Sequence, residues 1–317
     1  MSISTASGSA AKTERSALIA GLAAFGFWGV IPIYWKWMAA VPAGQILAHR
    51  VIWSALFLIV VLSWSQRWSE VLSAIRARRT ALYCLASGAS ISINWLVFIW
   101  AVNTNHVLET SLGYFMTPLV NVLFGAVFLR ERLSRMQLAS VVLLTAGVLN
   151  LTLGYGRFPW IAVVLAISFG LYGLLRKLSG TAATPGLFVE TVLLVPIAIG
   201  YLLFQQMHGT FFFGAPHWTA SILLFTTGVV TGLPLVWFGH AARHLRMTTL
   251  GFLQYIAPSC TFFLSIFLYD EPFTRSHLVT FALIWIALAI VTAETLRRWR
   301  SARIATATAA RLGEASA

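Results

Sequence analysis

Polar side chains set within long apolar runs are the residues of this sequence best able to do chemistry. Tyr114, Pro118, Asn121 and Gly125 follow one another at spacings of four, three and four, which puts them on one face of a helix. Gly251, Gln254, Pro258, Thr261 and Ser265 make a second such face, with Tyr255 beside it. Proline lacks an N–H and frees a backbone carbonyl, so Pro118 and Pro258 are read as helix kinks that let the backbone line a cavity. The alternative, that these small and polar residues glue helices together, stays open. Ser87, Ser90 and Asn94 recur at helical spacing in a third run, next to Trp95 and Trp100. Asn94 could bind a ligand or bridge two helices; Trp100 near a run's end reads as an interface anchor.

Four charged or titratable residues stand out for a gating or coupling role. His49 and Arg50 lie at the edge of an apolar run. An arginine there stays charged, so it must snorkel, pair or face water. Glu109 sits at a similar depth; it could staple Arg50, or Arg50 could serve as an anion gate. Glu190 opens another run. Without a partner it could carry a coupling proton, whereas hydrated at the membrane edge it would be idle. Lys36, near the end of the first run, is expected to snorkel.

The elements that must position these residues are membrane helices. Of the 317 residues, 59% are hydrophobic and 10% charged, with a mean hydropathy of +0.82; a soluble domain carries roughly 25% charged residues. Ten apolar runs are long enough, or nearly so, to span a bilayer: 17–38, 46–63, 81–102, 107–129, 136–154, 158–175, 187–206, 218–240, 248–269 and 277–295. Unbroken apolarity excludes a β-barrel, whose strands alternate. The first run is too long for a signal-peptide core and is read as a retained helix. Residues 1–16 are polar and expected to be disordered, and 297–317 form a basic tail. Cys84 and Cys260 lie inside apolar runs as small core residues, implying neither disulfide nor metal.

The net charge of +13 is a topology signal in this setting, and a nucleic-acid partner is excluded. With the N-terminus inside, 18 of the 22 Lys and Arg residues fall in cytoplasmic loops or tails, so both termini are placed in the cytoplasm by the positive-inside rule.

The two halves resemble each other at an offset near 140: Pro118 to Glu131 and Pro258 to Glu271 both span thirteen positions, and Ser111-Leu112-Gly113 has a counterpart in Thr249-Leu250-Gly251. An odd number of helices per half inserts the second half upside down. The predicted fold is therefore all-α and integral to the membrane, ten transmembrane helices as two inverted five-helix repeats, 17–154 and 155–296. Such repeats can rock to expose a central site to either side in turn. No H-E-x-x-H, G-x-S-x-G, P-loop or dinucleotide fingerprint occurs, so neither an enzyme, nor a cofactor, nor coupling to ATP within this chain is expected.

The stretches HRVIWSALF (49–57), NWLVFIWAVNTNHVLETSLGYFMTPLVNVLFG (94–125), LRERLSRMQ (129–137) and TLGFLQYIAP (249–258) resemble the RarD-type members of the EamA family, in the drug/metabolite transporter superfamily. The resemblance runs from about residue 17 to 296. It takes in Trp28, Lys36, His49, Arg50, Asn94, Trp95, Asn103, Glu109, Tyr114, Pro118, Asn121 and Glu131, then Arg176, Lys177, Glu190, Gln254, Tyr255, Pro258 and Glu271. It implies two inverted repeats and secondary transport across a bacterial inner membrane, with no role assigned to each residue. The expected function is alternating-access transport, as an exporter, of a small metabolite or drug-like molecule, with a coupling ion such as H+. A non-transporting membrane regulatory or assembly subunit, an intramembrane enzyme and a lipid flippase are the competing readings. The substrate, its direction of travel and the oligomeric state are not legible in the sequence.

Overall fold

A computed structural model of the chain describes residues 3–128, 130, 132–245 and 253–315. Glu131 and residues 249–251, which take part in the repeat, lie outside them. The described residues are all helical apart from turns and loops. In order they form α1 (Ile3–Lys36), α2 (Ala43–Ser65), α3 (Trp68–Arg76), α4 (Arg78–Asn103), α5 (Val107–Phe128), α6 (Arg135–Tyr155), α7 (Trp160–Ser179), α8 (Ala183–Met207), α9 (Trp218–His244), α10 (Ile256–Phe267) and α11 (Arg275–Ala315).

Nine of these are long and apolar enough to cross a membrane. A 22-residue helix such as α5 rises about 33 Å, enough for a hydrocarbon core roughly 30 Å thick. Of the run expected at 248–269, residues 248–252 lie outside the described residues, and the rest contains α10, whose 12 residues rise about 18 Å. Pro258 sits in the first turn of α10, where a missing N–H costs no intrahelical bond. Pro118 does lie inside its helix, α5.

Two expectations need correcting. The polar stretch before residue 17, expected to be disordered, continues α1 back to Ile3. The loop after the second span contains a helix of its own, α3. Its Val71 and Ala74 are buried, Trp68 packs edge-on against Phe188 at 5.4 Å, and Arg67 clasps Glu70 through two bonds of 2.6 and 2.7 Å. Alternation of apolar and charged residues over nine positions is too short a signal to separate such a surface helix from a loop.

Packing divides the chain into two compact units, residues 1–117 with 160–272, and 118–159 with 273–317. Neither coincides with a sequence half, because helices of the first half pack on helices of the second. Within the larger unit α1 pairs with α9, α4 with α7, α2 with α8 and α9, and α4 with α8; within the smaller, α6 pairs with α11. Counted as spans, these are first with eighth and third with sixth, second with seventh, second with eighth and third with seventh, and fifth with tenth. Exchanging the halves reproduces these pairs, and the packing of α1 on α10 has its counterpart in the close approach of α5 to α7 at Gly113, which is consistent with a pseudo-two-fold relation. Two glycines mark it at matched positions. A Cβ on Gly88 would meet the Glu190 carbonyl at 3.1 Å, and one on Gly228 would meet the Trp53 carbonyl at 2.5 Å.

In the smaller unit α6 and α11 are sewn together by polar groups. Ser140 Oγ donates to the Ala287 carbonyl, Asn150 Nδ2 to the Ser276 carbonyl and Thr280 Oγ1, and Thr280 Oγ1 to the Gly147 carbonyl. Where apolar burial gives no advantage over lipid, such bonds and close packing hold helices together.

Candidate functional site

The larger unit holds a buried polar centre built by α1, α2, α4, α5 and α7. Asn94, on α4, is fully buried. Its Nδ2 donates to the Leu165 carbonyl and to Ser168 Oγ, both at 3.0 Å, and its Oδ1 accepts from the Tyr114 hydroxyl at 2.9 Å. Ser90, one turn away, donates to the Ser168 carbonyl at 2.9 Å. Both Asn94 amide hydrogens and its carbonyl are thus engaged, so of its two expected roles the bridge is the one observed. Tyr114 reaches this position because Gly113 lets α5 close on α7: a Cβ there would come within 2.9 Å of the Ala162 carbonyl.

Arg50, on α2, is 8% exposed. Its guanidinium lies 3.8 Å from the centre of the Trp95 ring and 5.2 Å from that of Trp35. The hydroxyls of Tyr34 and Tyr114 are near enough to act on it electrostatically. The ion pairs found among the described residues are Arg67–Glu70 and Arg176–Glu190. The Arg50–Glu109 staple is therefore not formed. Glu109, half-buried one turn before Tyr114 on α5, makes other interactions. His49 points elsewhere: its Nδ1 accepts from Trp53 Nε1 at 3.2 Å, and its ring stacks on Phe213 at 4.8 Å and Phe211 at 6.1 Å.

Glu190 is neither unpaired nor hydrated. It is 1% exposed, accepts from Ser87 Oγ at 2.6 Å and pairs with Arg176 Nη1 at 3.2 Å. Arg176 also donates to the carbonyls of Ala182 and Ala183 at the start of α8. A small cleft lined by Val51, Gly88, Ile91, Trp95, Leu187, Glu190, Thr191 and Leu194 brings Trp95 and Glu190 to one opening.

At the opposite ends of these helices Glu271 caps α5. Its two carboxylate oxygens accept from the Val107 and Leu108 N–H groups at 2.6 and 2.7 Å. Burial pushes this carboxyl above the usual range, and the two N–H donors and nearby Lys36 pull it back. Lys36 does not simply snorkel: its Nζ donates to Asn105 Oδ1 and lies 5.0 Å from the Tyr269 ring centre.

The remaining expected site residues scatter. Thr261 is buried and donates to the carbonyls of Ala257 and Gly29, so it ties α10 to α1. Gln254 is half-buried in the turn before α10, where Tyr255 stacks on Phe115 at 6.5 Å. Asn121 is exposed and belongs to the smaller unit. Trp35 and Ser168 carry no signal as site residues in the sequence, where they look like ordinary span residues, and Arg176 enters it only through the family resemblance and as a loop charge.

Comparison with known proteins settles the class. Residues 15–153 match the EamA-like transporter family. The Protein RarD of Salmonella typhi is 44% identical over 280 residues, covering 88% of this chain and 95% of that one. The chain belongs to the EamA-like transporter family. An uncharacterized transporter of Vibrio cholerae is 41% identical over 289 residues, covering 91% and 96% of the two chains. A crystal structure 19% identical in sequence aligns with a TM-score of 0.56 over 89% of this chain and 98% of that one, so the fold is shared. The chain is thus a multi-pass membrane protein of a transporter family.

Proposed function

We propose that the chain is a secondary transporter of a small molecule, working by alternating access across a bacterial inner membrane with both termini in the cytoplasm. The observation that carries this is the buried polar centre around Arg50, Asn94 and Tyr114. Intramembrane charges and amides are costly and are kept where a pathway or site uses them. The exchange symmetry of the helix pairings supports rocking of one half against the other. The charge bias of the loops supports the orientation; in it Arg50, Lys36 and Glu271 would lie in the outer half and the Arg176–Glu190 pair in the inner half. In this reading Arg176–Glu190 is a fastener at the cytoplasmic end, and Glu271 on the α5 N-terminus is its counterpart on the outside. Opening one while the other stays shut gives the two access states. Export is the direction favoured by this reading.

The test is a solute screen in sealed proteoliposomes, with Tyr114→Phe and Asn94→Leu in parallel. The reading requires that the wild type moves at least one solute down its gradient and that both variants insert normally but move it more slowly. A wild-type protein that moves no solute, or variants that transport at the wild-type rate, would sink it.

A further inference from the structure

Among the described residues no carboxylate forms an ion pair with Arg50. Guanidinium stays protonated at any physiological pH, and the groups facing it from α1, α4 and α5 are two indoles and two phenols. Its Nε is buried without a hydrogen-bond partner, and so is Nε1 of Trp35, the indole against which it packs. Trp35 is only 1% exposed. Two buried N–H donors without a hydrogen-bond partner among the described residues therefore lie close to a fixed positive charge in a medium of low dielectric. Cation–π contact with two rings contributes about 1–4 kcal/mol in all, whereas taking a charge out of water costs several kcal/mol per ion.

The second half shows what the position holds when the charge is balanced from within. At the offset of 140, Arg50 corresponds to Glu190 and Lys36 to Arg176. Glu190 and Arg176 neutralise each other. In the first half both positions are cations. Lys36 has Asn105, Tyr269 and the field of Glu271, and Arg50 is left uncompensated. Beside the Asn94 network, hydrophobic side chains cluster around Trp35, including Tyr34, Phe98 and Tyr114.

We propose that Arg50 is the anchor for a carboxylate on the transported molecule, so that the substrate is a small organic anion with an apolar body. This rests on the transporter reading and names the substrate class for it. The carboxylate accepts from the guanidinium and from the Trp35 N–H, and the aromatic wall takes the rest of the ligand.

Equilibrium binding tests this apart from transport. Purified protein in phosphatidylcholine nanodiscs is titrated with labelled acetate, benzoate and octanoate, with benzamide as the neutral isostere of benzoate. The expected result is saturable binding of at least one carboxylate, a rise in melting temperature with benzoate but not benzamide, and affinity at least about tenfold weaker in Arg50→Gln, as loss of a charge-assisted bond requires. Without ligand, Arg50→Gln should melt at or above the wild-type temperature, since it removes an unpaired buried charge; a purely structural arginine would leave it less stable. If that variant does not fold, the benzoate–benzamide contrast in the wild type still decides. Binding of none of the three carboxylates, equal effects of amide and acid, or unchanged affinity in Arg50→Gln overturns the proposal. Loss of benzoate binding in phosphatidylglycerol nanodiscs would also overturn it, because the arginine would then hold a lipid phosphate. Carboxylate binding without any transport would leave the Arg50 site standing and sink the transporter reading.

Discussion

Breaking the Arg176–Glu190 pair one side at a time should cost very different amounts from breaking it on both. Glu190 is 1% exposed and the Arg176 side chain 16%. Removing one partner of a fully buried pair costs about 3–5 kcal/mol, because the other charge is left stranded. Glu190→Gln keeps an oxygen for Ser87, and the stranded Arg176 retains the Ala182 and Ala183 carbonyls and some solvent. Its cost should fall at the low end, about 2–3 kcal/mol. Arg176→Gln strands a carboxylate whose remaining donor is a hydroxyl, so it should cost about 3–4 kcal/mol. The double variant strands nothing and should lose only about 1–2 kcal/mol, the net worth of the polar contacts, which puts the coupling energy at roughly 4–5 kcal/mol. Melting temperatures in one detergent, at about 2 °C per kcal/mol for a chain this large, would read this as drops of roughly 5, 7 and 3 °C. If the two single losses simply add in the double variant, the residues are not coupled and the fastener does not exist.

Glu271→Gln should leave one of the Val107 and Leu108 N–H groups unpaired, at a cost of about 1–2 kcal/mol, and hydrogen exchange should accelerate at the start of α5; unchanged protection there would count against the cap. Gly228→Val should prevent α2 and α9 from closing, given the 2.5 Å approach to the Trp53 carbonyl, and abolish stable insertion. Gly26→Ala, with nothing within 4 Å of its Cβ, should be neutral or stabilise α1 by about 0.5–1 kcal/mol; expression and melting temperature compare the two. His208→Cys and Ala183→Cys, both at exposed positions, should react with an impermeant thiol reagent in intact cells at 208 and not at 183; the reverse pattern would invert the topology.

Local sequence was enough to read the helices. The length of an apolar run against the thickness of a bilayer decides whether a segment spans, and both are properties of contiguous residues. That is why nine spans appear where unbroken runs were expected, and why α3, a short amphipathic piece, was passed over. The offset of 140 likewise was legible, and the helix pairings are consistent with it. The site was legible only as a set of candidates. Asn94, Arg50, Glu190 and Tyr114 could be named because polar groups in apolar runs are conspicuous. Their partners could not, because Leu165 lies 71 positions from Asn94, and Trp35 and Arg176 look like ordinary span and loop residues. Helical spacing said that Tyr114 and Asn121 share a face, yet one closes on Asn94 and the other is exposed, since a face means nothing until a neighbouring helix covers part of its length. For the same reason Glu190 read as a free carboxylate and proved to be paired. Spacing along a helix is set by the backbone within a few turns, whereas which charge is neutralised, and which is left for a ligand, is decided by packing between helices far apart in the chain.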